Sequence, residues 1–271
     1  MKTSSFLCGL SFLPLAASAC DNPFGYSYLT ETVAAGKIEF VQWATGRFGR
    51  DIGSGYDGRY RGFDLRSELE FGLSEREQLS AYVNYRYLDT SAREGLRFDG
   101  MQLAYMRMLA HPDQESWGRA IYLEPGYSQS SSKAGGLRDQ WSLEAKYLLQ
   151  HNFGEAQEGI YAANLVAKVE RVPASDDDTL SLKLTQGLAW EVALGWQVGA
   201  EAVLGAEWAE GTDFRHFTAF VGPCARYQSE DGLFATLTVL AQVAGSPADK
   251  GELNVTDKSP VEARLKLGLG F

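Results

Sequence analysis

The stretch Val261-Glu262-Ala263-Arg264-Leu265-Lys266-Leu267-Gly268-Leu269-Gly270-Phe271 alternates apolar with polar or glycine at every step and stops on an aromatic. Side chains two apart in an extended chain share a face, so this segment offers one face to hydrocarbon and the other to water. The same period recurs upstream. In the stretch from Phe63 to Phe71, Phe63, Leu65, Leu69 and Phe71 fall on one face, and Asp64, Arg66, Glu68 and Glu70 on the other.

Twelve segments carry this alternation, roughly 36–46, 61–71, 78–88, 100–109, 117–127, 139–151, 159–171, 178–190, 196–208, 217–227, 233–244 and 260–271. The first, fourth and fifth are less regular: Phe40 and Trp43 fall on opposite faces, Arg107 is in register with Tyr105, and Pro125 removes a ladder donor. No window holds the run of about 18 apolar residues that a membrane helix needs. The pattern therefore predicts an all-β fold, a closed antiparallel transmembrane β-barrel of about 12 strands with short periplasmic turns and longer external loops. The longer connections, 47–60, 89–99, 128–138 and 245–259, all follow odd-numbered strands.

Aromatics bracket several segments. Trp196 and Trp208 share a face, and the twelve steps between them, at ~3.3 Å each and tilted by ~40°, rise about 30 Å, the thickness of a bilayer core. Phe63 with Phe71, and Phe217 with Tyr227, repeat the arrangement and complete a candidate aromatic girdle. A soluble sandwich core is the competing reading of these aromatics, and their repetition at strand ends disfavours it.

Residues 1–19 contain Lys2, an apolar run from Phe6 to Ala17 and the small-residue ending Ala17-Ser18-Ala19, and are expected to be an export signal. Cys20 follows directly and raises lipidation as a rival to plain cleavage. Residues 20–35 are expected to form an N-terminal periplasmic segment, and 36–271 the outer-membrane barrel. Without residues 1–19 the chain loses Lys2 and no acid, leaving 24 basic against 35 acidic residues, a net charge of −11. That balance argues against a nucleic-acid partner. With Cys20 and Cys224 alone beyond the signal, there is no disulfide framework.

By parity the lumen should hold Asp64, Arg66, Glu68, Glu70, Arg86, Glu144, Lys146, Lys168, Glu170, Lys183, Glu201, Glu207, Arg226, Glu262, Arg264 and Lys266. An isolated charge inside a membrane wall costs several kcal/mol, so these groups must meet water or one another. Across the second hairpin, Asp64 should fall opposite Arg86 and pair with it. The set fits a narrow channel for small hydrophilic solutes, with these charges setting selectivity, and equally a closed structural or adhesive barrel braced by salt bridges. Loop 128–136, rich in Ser and Gly, is a candidate inward-folding constriction. The same parity makes Leu237→Arg damaging and Thr238→Arg tolerable.

Catalytic signals are sparse. His111, His151 and His216 have no metal-ligand spacing, and there is no Gly-x-Ser-x-Gly, phosphate loop or Cys-x-x-Cys. Neither a metal nor a cofactor is expected. Asp213 with His216 at the rim of the fifth external loop is the one pair that could serve a hydrolase, and no nucleophile stands beside it.

At Leu265, Leu267, Leu269 and Phe271 the chain resembles the terminal strand of Gram-negative outer-membrane barrel proteins. That resemblance implies an assembly signal read by the barrel-assembly machinery, and outer-membrane lipid as the surrounding partner. The segment Phe24-Gly25-Tyr26-Ser27-Tyr28-Leu29-Thr30-Glu31-Thr32, followed by Phe63-Asp64-Leu65-Arg66, resembles uncharacterised porin-like outer-membrane proteins, which implies location and fold but no chemistry.

Overall fold

A computed structural model describes residues 22–50, 60–90, 94–130, 137–175 and 177–271. The expected export signal, Cys20 and most of loop 128–136 lie outside these residues. Twelve strands are present among the described residues: β1 (Ile38–Phe48), β2 (Tyr60–Ser74), β3 (Glu77–Thr90), β4 (Glu94–Ala110), β5 (Gly118–Ser130), β6 (Leu137–Phe153), β7 (Gly159–Val172), β8 (Asp177–Ala193), β9 (Trp196–Ala209), β10 (Asp213–Gln228), β11 (Leu233–Ser246) and β12 (Val261–Gly270). Each pairs antiparallel with its sequence neighbours, and β1 pairs with β12 to close the barrel. Closure removes the two free edges that an open sheet would leave unpaired in lipid. The seam runs from Phe48 opposite Val261 to Glu39 opposite Gly270, and the Phe271 N–H donates to the Ile38 carbonyl at 2.8 Å, so the terminal aromatic finishes it.

The exterior is apolar and the interior ionisable. Leu103, Leu165, Leu143 and Leu267 stand exposed on the outside, while Glu201 and Arg226 are each only 2% exposed inside. A soluble protein does not present apolar surface on this scale. Trp43 and Phe40 do separate: Phe40 faces out, whereas Trp43 turns in and donates its indole N–H to Glu68 at 2.7 Å. Arg107 stays outside at the inner rim, where Tyr105 and Arg107 share Glu77 as a partner. The β4–β5 ladder is interrupted between Gln102 opposite Gly126 and Tyr105 opposite Leu123, the interval that contains Pro125. Proline has no N–H to give there.

The second external connection is shorter than 89–99. β4 starts at Glu94, because Leu96 and Phe98 continue the outward alternation and pair with Tyr87 and Tyr85. The extra residue, Asp99, is absorbed by a bulge at Gly100, whose φ is +147° and whose added Cβ would lie 1.9 Å from the Tyr127 carbonyl oxygen. Only glycine fits there. Long external connections persist at 49–59 and 247–260.

Candidate functional site in the barrel lumen

The segment expected to hang in the periplasm is instead inside the barrel. From Asn22 to Val33 it arches through the lumen, and the wall meets the N–H groups of Gly25, Tyr26, Ser27, Tyr28, Thr30 and Val33 and the carbonyls of Asn22, Gly25 and Tyr28. Glu201 on β9 accepts three consecutive N–H groups, from Gly25 at 2.7 Å, Tyr26 at 2.9 Å and Ser27 at 2.8 Å, and the Thr238 hydroxyl at 2.8 Å. Three successive amides converging on one carboxylate form an anion nest. Asn164 on β7 treats Tyr28 as a ladder partner, accepting its N–H at 2.6 Å and donating to its carbonyl at 2.9 Å. Gln150 accepts from the Thr30 N–H, Gln78 from the Val33 N–H, and Arg264 donates to the Gly25 carbonyl at 2.8 Å. The apolar side chains Phe24, Leu29 and Val33 are buried, with Phe24 lying over Gly187, where a Cβ would sit 2.6 Å from its ring. Backbone polar groups need partners once dehydrated. The lumen supplies them and an apolar seat together, which removes the reason to remain in water. The expectation for 20–35 is corrected accordingly for its described part.

The same contacts reverse one inference from parity. Thr238 does face inward, but it is fully enclosed beneath Gly25, so an arginine there would expel the segment rather than enter water.

The sequence-predicted lumenal residues divide by depth. Toward the inner end Glu68 is held by Trp43, Arg66 lies over the Tyr82 ring at 4.6 Å and donates to Asn84, and Lys266 lies 4.9 Å from the Trp43 ring. Lys146 sits 3.6 Å from the Tyr28 ring and 4.0 Å from that of Tyr122. Arg226 rests over Phe234 and Arg264 over Tyr26. Glu70, with Glu39, Glu68 and Lys266, borders a small, partly open cavity of about 50 Å³ beneath the segment. That is room for a water or two.

Toward the outer end the charges pair, some across strands and some along one. Asp64 is directly opposite Arg86 and accepts its Nε–H at 2.7 Å, the pair expected from the hairpin; Arg47 joins Asp64 from β1. Arg86 also meets Asp99 at 3.0 Å. Glu144 holds Lys146 at 3.0 Å and Glu170 holds Lys168 at 2.6 Å. Lys183 remains exposed within this half. The final connection, 247–260, folds inward over it: Asn254, Val255 and Ser259 are fully buried, and Asn254 exchanges hydrogen bonds with Gln242. Asp249 braces the fold of this loop. Burial acts against its charge, yet the backbone N–H groups of Val255 and Thr256 hold its carboxyl below the usual range.

His216 and Asp213 are not brought together as an acid–base pair. A bulge at Phe214–His216 turns His216 into the lumen, 2% exposed and 3.9 Å from Asp257, while Asp213 stays exposed at the strand's start. Among the described residues no cluster of His, Cys, Asp and Glu is arranged to hold a metal.

Sequence reasoning missed Gln78, Gln150, Asn164 and Thr238 as anchors, and Lys258 as a lumenal group. A neutral amide at an inward position of a lumenal strand was the available signal for the anchors. The aromatics sit near the strand ends. Trp196 pairs with Tyr227 at 4.9 Å between rings near the inner rim, where Phe71 also lies, whereas Phe63, Trp208 and Phe217 lie toward the outer end. Leu265, Leu267 and Phe271 are exposed outward, with Leu269 half-exposed.

A closed antiparallel cylinder with an apolar exterior, aromatic strand ends and an ionisable interior defines a transmembrane β-barrel of the bacterial outer membrane. Residues 16–271 match the model of a family of unknown function, DUF6662, and the chain belongs to that family. No curated protein matches the sequence. Among solved structures, the COG4313 outer-membrane channel from Pseudomonas putida F1 is similar with a TM-score of 0.58 and 13% identity, over 89% of this chain and 98% of that one. The NanC porin is similar at 0.53 and 9% identity, over 86% and 98%. The KdgM porin in complex with disordered oligogalacturonate is similar at 0.50 and 11%, over 87% and 99%. At these identities the likeness is one of fold.

Proposed function

We propose that the chain is a passive outer-membrane channel for small hydrophilic solutes, narrowed from the inner side by its own N-terminal segment. The observation that carries this reading is the asymmetry of the lumen. Its inner half is filled, while in the outer half Lys183 is exposed and Lys168 and Glu170 keep about a quarter of their side-chain surface, 25% and 24%. Charged groups that keep hydration inside a membrane wall line water, and water along a wall is a route for solutes. The porin-like structures add support at the level of fold alone.

Conductance of the full chain across a planar bilayer tests the proposal. Discrete conducting steps are expected, and they should grow when residues 22–35 are removed. A pore silent in both forms would overturn it.

The braced, non-conducting barrel is the second reading, and the 50 Å³ inner cavity favours it. The same experiment separates the two. No enzymatic reading is advanced, because Asp213 and His216 lack the geometry of an acid-oriented base and Asp257 lies beside His216 instead.

A further inference from the structure

The connection 247–260, folded inward over the outer half of the lumen, is tied to two distant parts of the wall through one residue. The Asp257 backbone carbonyl accepts from Arg50, just beyond β1, and the Asp257 carboxylate stands 3.9 Å from Nδ1 of His216 on β10. Within the connection that carboxylate also accepts from the Asn254 side chain at 3.0 Å, and the Asn254 side chain accepts the Asp257 N–H at 2.8 Å. Asn254 is in turn clamped to the Gln242 side chain of β11 through its own N–H and carbonyl. Asp257 is therefore held facing His216 by neutral hydrogen bonds that do not depend on the imidazole. On its side, His216 is turned into the lumen by the bulge at Phe214–His216 and is 2% exposed. The charged groups around it come from every neighbouring element: Glu207 lies opposite it on β9, Arg215 precedes it on β10 and meets Glu207 at 3.5 Å, Asp257 and then Lys258 follow one another on the connection, and Arg50 reaches in from beyond β1.

A separation of 3.9 Å is beyond hydrogen-bond reach, so a neutral imidazole gains little from Asp257. A proton taken up from water makes both ring nitrogens donors and gives the ring a charge that a carboxylate at this distance attracts strongly in a dehydrated setting. Burying that charge is costly unless it is paired, and Asp257 pairs it only while the connection is folded in. We propose that His216 and Asp257 form a proton-operated latch that tightens connection 247–260 over the outer mouth as pH falls below neutrality. The latch regulates the proposed channel and rests on that reading for its consequence, a pore that narrows from outside in acid, though not for its test. Imidazole ordinarily changes charge near about pH 6.5; the attraction that favours the folded connection is present below that range and lost as pH rises through it.

The test is amide hydrogen exchange of the full chain in detergent at about pH 5.5 and about pH 7.5, with each rate referred to the intrinsic rate at the same pH. Residues 253–259 should be roughly fivefold better protected at the lower pH. His216→Gln and Asp257→Asn, each of which removes one charge of the latch, should give the same protection at both. The strands β10 and β11 should keep their protection in both variants, which shows the wall intact. Equal protection of the wild type at the two pH values overturns the latch whatever the variants do, and so does a pH contrast that survives in His216→Gln. In planar bilayers the wild-type conductance should fall between the same two pH values. The channel reading fails separately: a silent pore whose pH-dependent protection is intact sinks conduction alone, and a conducting pore without that protection sinks the latch alone.

Discussion

Glu201 and Lys183 occupy equivalent inward positions on adjacent strands, β9 and β8, and alternation alone gives them the same role. The structure gives them opposite ones. Glu201 is 2% exposed and saturated by three backbone amides and a hydroxyl; Lys183 is exposed and joins no ion pair among the described residues. The two halves of one lumen thus use charge differently, the inner half to hold a peptide and the outer half to face water. An inward charge in a barrel is a pore group only where nothing else has claimed it.

Four experiments bear on that contrast. The strongest effect should come from Glu201→Ala, which orphans three amides and removes a charge-assisted acceptor; docking of the segment should weaken by about 3 kcal/mol. In single-channel records this appears as a large rise in open probability, and an unchanged record would erase the distinction between the two halves. Asn164→Ala removes both bonds to Tyr28 and should cost roughly 1 to 2 kcal/mol of the same docking, with a smaller rise in conductance. Lys183→Gln should leave the thermal unfolding midpoint in detergent nearly unchanged, within about 0.5 kcal/mol, because it breaks no ion pair among the described residues. A large loss would place Lys183 among the structural charges.

The mildest effect concerns the outer loop and pH. A carboxyl held below its usual value stabilises the form that contains it at pH above its ordinary range, and the contribution disappears as pH falls through the lowered value. Amide-exchange protection of residues 249–256 should therefore be intact at pH 7 and fall below about pH 4, the unperturbed carboxyl range. Asp249→Asn should show reduced protection already at pH 7. Protection unaffected by either change would detach the loop's fold from Asp249.

The strands were legible because a two-residue period is written in every segment, and the seam because the last strand repeats it without a break. Asp64 with Arg86 was legible because a tight hairpin fixes register. β4 was read short at its outer end because Asp99 and Gly100 interrupt the alternation just where a bulge lets it resume. The seat of the N-terminal segment was not legible. Its own residues show no period, and its anchors are amides and one carboxylate scattered over β3, β6, β7 and β9 that only closure of the cylinder brings together. Lys258 was equally hidden, since an inward fold of a polar loop leaves no mark on its composition.

The arch from Asn22 to Gly36 has both feet at one mouth: Asn22 is tied to Thr236 near the inner end of β11, and Gly36 donates to the Gly72 carbonyl where β2 ends. Between these feet it lies in the bore like a bight of rope pushed into a pipe. Every bond that seats it, from Glu201, Asn164, Gln150, Gln78 and Arg264, comes from a side chain of the wall, so the segment's seat and the wall's own ladder are built from separate sets of hydrogen bonds.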